Sequence, residues 1–370
     1  SLGNKFLKPE HTTETEIGFD AIFRDRYSLQ VSRASTKAVD QLIQIPLAAF
    51  YGFSSQWQNA GTIEGNTLEG TVEAQVIRRP NLTWRVGLVA DRSRHTVTEF
   101  NRPCFTTNTI AYRCAGVTLC AMYGFSFVKS AANLPETAQA RANEFVVNDE
   151  GLLVWVGLDA SGQPKQYTQG ETATGGWGTT ATIGTANYGW GLPIVLKDST
   201  GSNAVVNIGD GNPKFHWGVS NSISWRNIDL YALFDVQVGG QAYNQTNQRM
   251  YQWAKSADVD QTGKAQELKK PIEYYVSLYA ANDPTDYFVQ DAGYAKLREV
   301  SLRYRMGGRV LSMLSRFGAS GVSVSLIGRN LMTFTNYKGY DPEVGGTLVR
   351  LDSFDYPRYR TFTGSFEITF

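Results

Sequence analysis

Long stretches of this chain alternate apolar and polar side chains with a period of two. In residues 361–370, Phe362, Gly364, Phe366, Ile368 and Phe370 share one parity; Thr361, Thr363, Ser365, Glu367 and Thr369 share the other. Successive side chains of a β-strand point to opposite faces, so this pattern makes one greasy face and one that can meet water. Residues 214–227 repeat it: Phe215, Trp217, Val219, Ile223 and Trp225 oppose His216, Ser220, Ser222, Ser224 and Arg226. So do residues 68–76, 82–91, 228–238, 294–306 and 321–335, with weaker versions at 13–24 and 27–45. The pattern predicts about nine strands, most of ten or more residues, whereas strands of soluble domains usually run about 5–6. Phe215 and Trp225 are ten residues apart, which at about 3.3 Å per residue and a tilt of about 40° gives roughly 25 Å. That is the height of the apolar band between the aromatic girdles of a membrane β-barrel.

The expected connections alternate in length, as in such barrels. Short ones fall at 78–81 and 227–229, and one of intermediate length at 307–320. Long ones fall at 46–65, 247–293 and 336–359. The longest, about 100–213, is expected to be an extracellular insertion with hairpins of its own, one at 144–158 turning on Asp149-Glu150-Gly151. The fold class is therefore all-β, an antiparallel transmembrane barrel occupying residues 1–370. A soluble extracellular β-sandwich enzyme is the competing architecture, and strand length and girdle aromatics speak against it.

Composition narrows the function classes. No apolar run approaches the roughly 20 residues of a transmembrane helix. The mean hydropathy of −0.29 does not weigh against a barrel, whose strands are only half apolar. Lys and Arg total 35 against 34 Asp and Glu, so nothing in the charge points to nucleic acid. The 19 Tyr, 19 Phe and 8 Trp suit strands, and the 36 Gly suit turns.

Nothing in the chain resembles a catalytic centre. His11, His95 and His216 are scattered, with no nucleophile motif beside them. Residues 258–263 (DVDQTG) are similar to the start of a calcium loop, but Lys269 occupies the twelfth position, where an acid is required, and a polar loop is the expectation. Residues 207–212 read as a turn before a strand. Asp235 and Glu299 are expected to pair with Arg303 or Arg329 on the water-facing side. Of the three cysteines, Cys104 and Cys114 are the favoured disulfide, closing a small loop; three unpaired thiols remain open on spacing alone. No metal-ligand cluster or cofactor motif is present.

Several segments resemble the SusC/RagA class of TonB-dependent transporters. They are LKPEHTTETEIGFD (residues 7–20), YGFSSQWQNAGTIEGNTLE (51–69), GNPKFHWGVSNSISWRNIDLYALFDVQVGGQAYN (211–244), FVQDAGYAKLREVSLRY (288–304) and GRNLMTFTNYKGYDPEV (328–344). Gly65 and Thr67 depart from the family's Asn and Gly in the second segment. The resemblance is strong over 7–90 and 205–370 and weak between 100 and 205. It implies the C-terminal part of a 22-stranded barrel whose plug domain and TonB box lie outside this sequence. It further implies import of oligosaccharides or peptides, a SusD-like surface lipoprotein as lid, TonB as the energy coupler and outer-membrane lipid around the barrel. The C-terminus would be periplasmic and Phe370 would serve as the assembly signal. A plugless porin or a surface adhesin on the same barrel is the alternative. Loop aromatics suited to stacking on a sugar or peptide are Tyr51, Trp57, Trp177, Trp190, Tyr337 and Tyr340. The Tyr340-Asp341-Pro342-Glu343 stretch reads first as loop architecture, because Pro342 stiffens it.

Overall fold

The computed structural model describes residues 1–107, 109–165, 176–265, 269–346 and 348–370. Nine long strands form one antiparallel sheet in chain order. They are β1 (His11–Phe23), β2 (Tyr27–Val39), β3 (Gly61–Arg79), β4 (Leu82–Phe100), β5 (Phe215–Trp225), β6 (Ile228–Val238), β7 (Tyr294–Met306), β8 (Gly321–Thr335) and β9 (Thr361–Thr369). β1 and β9 each pair on one side only, so the sheet is open within this chain. Among the described residues no helix is long and apolar enough to cross a membrane, which says nothing about strands.

The register carries the alternation across neighbouring strands. One row of cross-strand partners reads Ala21, Leu29, Val72, Leu88, Val219, Phe234, Leu297, Met332. Another reads Trp84, Ile223, Leu230, Leu302, Leu326, Gly364. On the opposite face, Ser28, Glu73, Gly87, Ser220, Leu233, Glu299, Arg329 and Thr361 line up. The apolar face is uncovered, with Leu326 and Phe366 each 60% exposed. An exposed apolar surface running through nine strands is not stable in water and is what a barrel wall presents to lipid.

The boundaries differ from the sequence expectation in four places. β3 and β4 each run 19 residues, because pairing continues past the alternating core of each segment. The 27–45 segment breaks at Asp40, whose φ is +56°, and Leu42–Pro46 pairs instead with Ser55–Asn59. The β5–β6 turn is Arg226-Asn227, not 227–229, since Trp225 already faces Ile228. Residues 207–212 were expected as a turn, but Val205–Asp210 is a strand paired with Ala121–Phe125.

All four short connections (24–26, 80–81, 226–227 and 307–320) fall at one end of the sheet, and all four long ones (40–60, 101–214, 239–293 and 336–360) at the other. The long ones build a packed cap with small sheets, short helical turns and the eight-residue helices α1 (Gln245–Gln252) and α2 (Ile272–Tyr279). Its main core gathers Tyr243, Tyr251, Tyr274, Leu278, Phe288 and Met122. Buried phenols need partners: Tyr243 donates to Gln248 Oε1 at 2.8 Å, and the Asn148 amide donates to the Tyr274 hydroxyl at 2.8 Å. The expected hairpin is present, Phe145–Val147 against Leu153–Trp155, and its Asp149-Glu150 turn is held by the buried Lys270 ammonium. A disulfide joins Cys104 to Cys114 across Cα atoms 4.8 Å apart; Cys120 is buried, its Sγ donating to the Gly346 carbonyl.

A lysine substituted on the outward face should cost far more than one on the inward face. Leu326→Lys should lower stability by about 2–4 kcal/mol if it lies near the midplane, and Thr363→Lys by well under half of that. The shift in urea midpoint and the fraction of heat-modifiable folded band on gels would check this.

Candidate functional site

The inward face of β5, β6 and β7 meets the 336–360 connection in a dense charged cluster. β7 supplies the two central cations through a bulge. Leu297 pairs with Phe234 and Glu299 with Leu233, so Arg298 is the extra residue. The bulge resets the alternation phase: Tyr294 and Lys296 before it and Glu299 and Ser301 after it all face inward. Arg298 itself reaches the inward carboxylate of Asp235, its Nε donating at 2.6 Å. Asp235 also meets His216 Nε2 at 2.5 Å, while His216 Nδ1 lies 3.2 Å from Asp91.

The connection brings the opposing carboxylates. Lys296 Nζ lies 2.6 Å from Asp341 and 3.0 Å from Glu343. Arg298 Nη2 and Arg358 Nε reach the same Glu343 oxygen at 2.8 and 3.1 Å. Arg350 donates to Gln237 on β6 at 3.1 Å. Lys296 is buried, so its charge is tolerable only because two carboxylates accept from it. Burial pushes the Asp341 and Glu343 carboxyls up, but hydrogen bonds from Lys296, together with Arg298 at Glu343 and the nearby cations, outweigh it and hold both below the usual carboxylate range. Gly345, at φ +70°, completes the fold-back; a Cβ there would meet the Val349 carbonyl at 2.4 Å.

Behind the cluster, Tyr337 donates to Asp352 at 2.6 Å, and Thr246 on α1 donates to the other Asp352 oxygen at 2.7 Å. The cluster thus ties the sheet wall, the loop and the cap together. Nothing in it pairs a nucleophile with a base. Closer to the short turns, the inward wall has an open hollow of about 650 Å³ lined by polar groups including Arg26, Glu73, Gln75, Arg85, Ser220 and Ser222. That arrangement suits a water-facing wall rather than a reaction centre.

The expected pairing of Glu299 with Arg329 is present at 2.8 Å. Asp235 corrects the expectation: its partners are Arg298 and His216, and Arg303 binds Glu367 on β9. Asp258 accepts from the buried Tyr251 hydroxyl at 2.9 Å, so it works as a cap bond. The six loop aromatics divide. Tyr51, Trp57 and Tyr340 are 53%, 45% and 73% exposed. Trp190 and Tyr337 are core residues at 3% and 5%, which removes their ring faces from any ligand. Trp177 packs edge-on against Trp190 and Tyr274. Lys296, Arg298 and Arg358 were not among the expected site residues. The signal that could have found the first two is the phase slip of β7, where apolar positions run Ala295, Leu297, Val300 and Leu302.

No family model matches the chain. Three TonB-dependent receptors of Formosa agariphila align with nearly all of it. Receptor P3 is 24% identical over 100% of the chain, and receptor P39 is 26% identical over 96%. Receptor P26 is 22% identical over 99%. The chain spans about a third of the length of these relatives, 35% in each case. Among solved structures, the RagAB peptide transporter matches with a TM-score of 0.66 and 18% identity, over 100% of this chain and 36% of that one. Its closed-closed state gives 0.61 over 98% of this chain and 35% of that one. The two-faced antiparallel sheet with its loop cap is the fold that this chain shares with part of those structures. Over nearly its whole length the chain is similar to proteins named TonB-dependent receptors, and it shares the fold of about a third of the RagAB transporter.

Glu343→Gln should free the 336–360 loop without unfolding the sheet, lowering its local opening free energy by about 1–3 kcal/mol. Both carboxyls are depressed, so their contribution is complete above the unfolded value of about 4 and is lost as pH falls below it. The protection of 336–360 against hydrogen exchange, taken relative to the intrinsic rate at each pH, should therefore fall on acidification in the native protein, and less steeply in E343Q.

Proposed function

We propose that the receptor containing this chain imports oligosaccharide or peptide ligands across the outer membrane, powered through TonB. The observation that carries this reading is the joint one: a sheet with one lipid face and one charged water face, matched end to end by three proteins named TonB-dependent receptors. In this reading the nine strands are the C-terminal part of a 22-stranded barrel. The plug and TonB box come from outside these residues. The short turns face the periplasm, with the C-terminus and the Phe370 assembly signal on that side. The cap, including the 100–213 insertion, faces the medium under a SusD-like lipoprotein. The receptor binds and moves its ligand without covalent chemistry.

Ligand contact is assigned to the exposed cap aromatics Tyr51, Trp57 and Tyr340, which offer ring faces to sugar or peptide. Phe50, 81% exposed and 4.3 Å from the Tyr51 ring, extends that platform.

Uptake of labelled oligosaccharide and peptide pools by cells carrying or lacking the receptor gene tests the proposal. Uptake should require both the gene and TonB and should collapse when the proton gradient is dissipated. Tyr51→Ala with Tyr340→Ala should weaken capture by about 1–3 kcal/mol in total, read as a raised half-saturating concentration. Uptake that persists without TonB would identify a passive pore.

A further inference from the structure

We propose that the short-turn end of this barrel segment binds phosphate-bearing lipid headgroups, with α3 (Gly308–Ser315) lying in the membrane interface as an anchor. α3 fills the β7–β8 connection and buries none of its residues. Its apolar residues divide: Leu311 and Leu314 are half-buried, while Val310 and Met313, with Phe317 just beyond the helix, are 41%, 62% and 77% exposed. At three- and four-residue spacing those three form one stripe, and Arg309, Ser312 and Arg316 form another.

The occupant of the stripe follows from what it continues. The outward apolar face ends on the row Met306, Val322, Ile368, and α3 adjoins β8 there. Val322 is buried, whereas Val324 and Leu326 farther along the same face are exposed. The helix therefore caps the lipid-facing belt at its edge, and its exposed stripe prolongs that belt. An amphipathic helix with aromatic and aliphatic residues on one side and arginines on the other is suited to lie in an interface.

The charge at this end is predominantly positive. The four short connections together hold five arginines (Arg24, Arg26, Arg226, Arg309 and Arg316) and one carboxylate, Asp25. Two of these arginines lie over girdle rings, Arg24 over Phe23 at 5.0 Å and Arg226 over Trp225 at 5.6 Å, while Arg26 donates to the Gln75 and Val76 carbonyls beside the inner hollow. Ring and guanidinium together place positive charge at headgroup depth, where a lipid phosphate is its natural counter-ion. The inference rests on the lipid placement of the outward face and is independent of import.

The test places an environment-sensitive fluorophore on cysteines introduced at Met313, Ser312 or Leu326 of the full receptor, reconstituted in phosphatidylcholine or phosphatidylglycerol bilayers. The Leu326 probe reports the belt itself. The expected result is blue-shifted emission, quenched by brominated lipid, at Met313 and Leu326 but not at Ser312. Arg309→Gln with Arg316→Gln should lower phosphatidylglycerol enrichment around the protein about fivefold per arginine. A probe in lipid at Leu326 and in water at Met313 would overturn the anchor while leaving the barrel reading intact. Water-like emission at both would overturn the lipid placement of the sheet. Unchanged enrichment in the double variant would overturn the headgroup assignment.

Discussion

A β-strand has two faces, and a slip of one residue in its pairing exchanges them. Everything else in this protein depends on nine strands keeping the same phase. One outward row, Phe23, Tyr27, Ala74, Val86, Asn221, Ala232, Val300, Gly328 and Phe362, runs from β1 to β9, and the outward face is predominantly apolar along it, with arginines (Arg33, Arg92) only towards the cap. Lipid offers no hydrogen bonds, so the backbone must be satisfied within the sheet while the side chains supply the apolar surface. Both requirements are met by the same register. The two outer strands are the places where this chain leaves backbone groups for another strand to complete.

The bulge at Arg298 turns that constraint into a feature of the site. An uninterrupted alternation would make Lys296 and Arg298 part of an inward face that excludes Glu299. Resetting the phase keeps the apolar belt continuous and still points all three inward. The two cations then bind Asp341 and Glu343 from a loop that would otherwise hang from the rim. The segments that carry these four residues, 288–304 and 328–344, thereby hold each other. The cap beyond them is packed like a small domain, with buried tyrosines whose hydroxyls are hydrogen-bonded, so its loops form a fixed rim over the inner wall.

The barrel strands were legible in the sequence because period two survives wherever one face meets lipid and the other water. Phe215 to Trp225 and Thr361 to Thr369 were readable nearly to the residue. The pattern faded where that contrast fades. The far ends of β3 and β4 rise towards the cap and are mixed in polarity, so their full 19 residues were not apparent. The cap was the least readable part, because its short strands carry two or three inward positions each and its order depends on contacts distant in sequence. Trp190 and Tyr337 show the difficulty: an aromatic in a polar loop reads the same whether it faces solvent or a core. The Asp149-Glu150-Gly151 hairpin was readable because its turn chemistry is local.

The account stands or falls on the sheet having one face in lipid and the other in water. Spin labels placed singly along β8, from Val324 to Arg329, would test it in the reconstituted receptor. Collision with oxygen should peak at Val324 and Leu326, and collision with a water-soluble nickel chelate at Ser325, Ile327 and Arg329. Chelate access at every position, without alternation, would contradict a membrane-spanning wall.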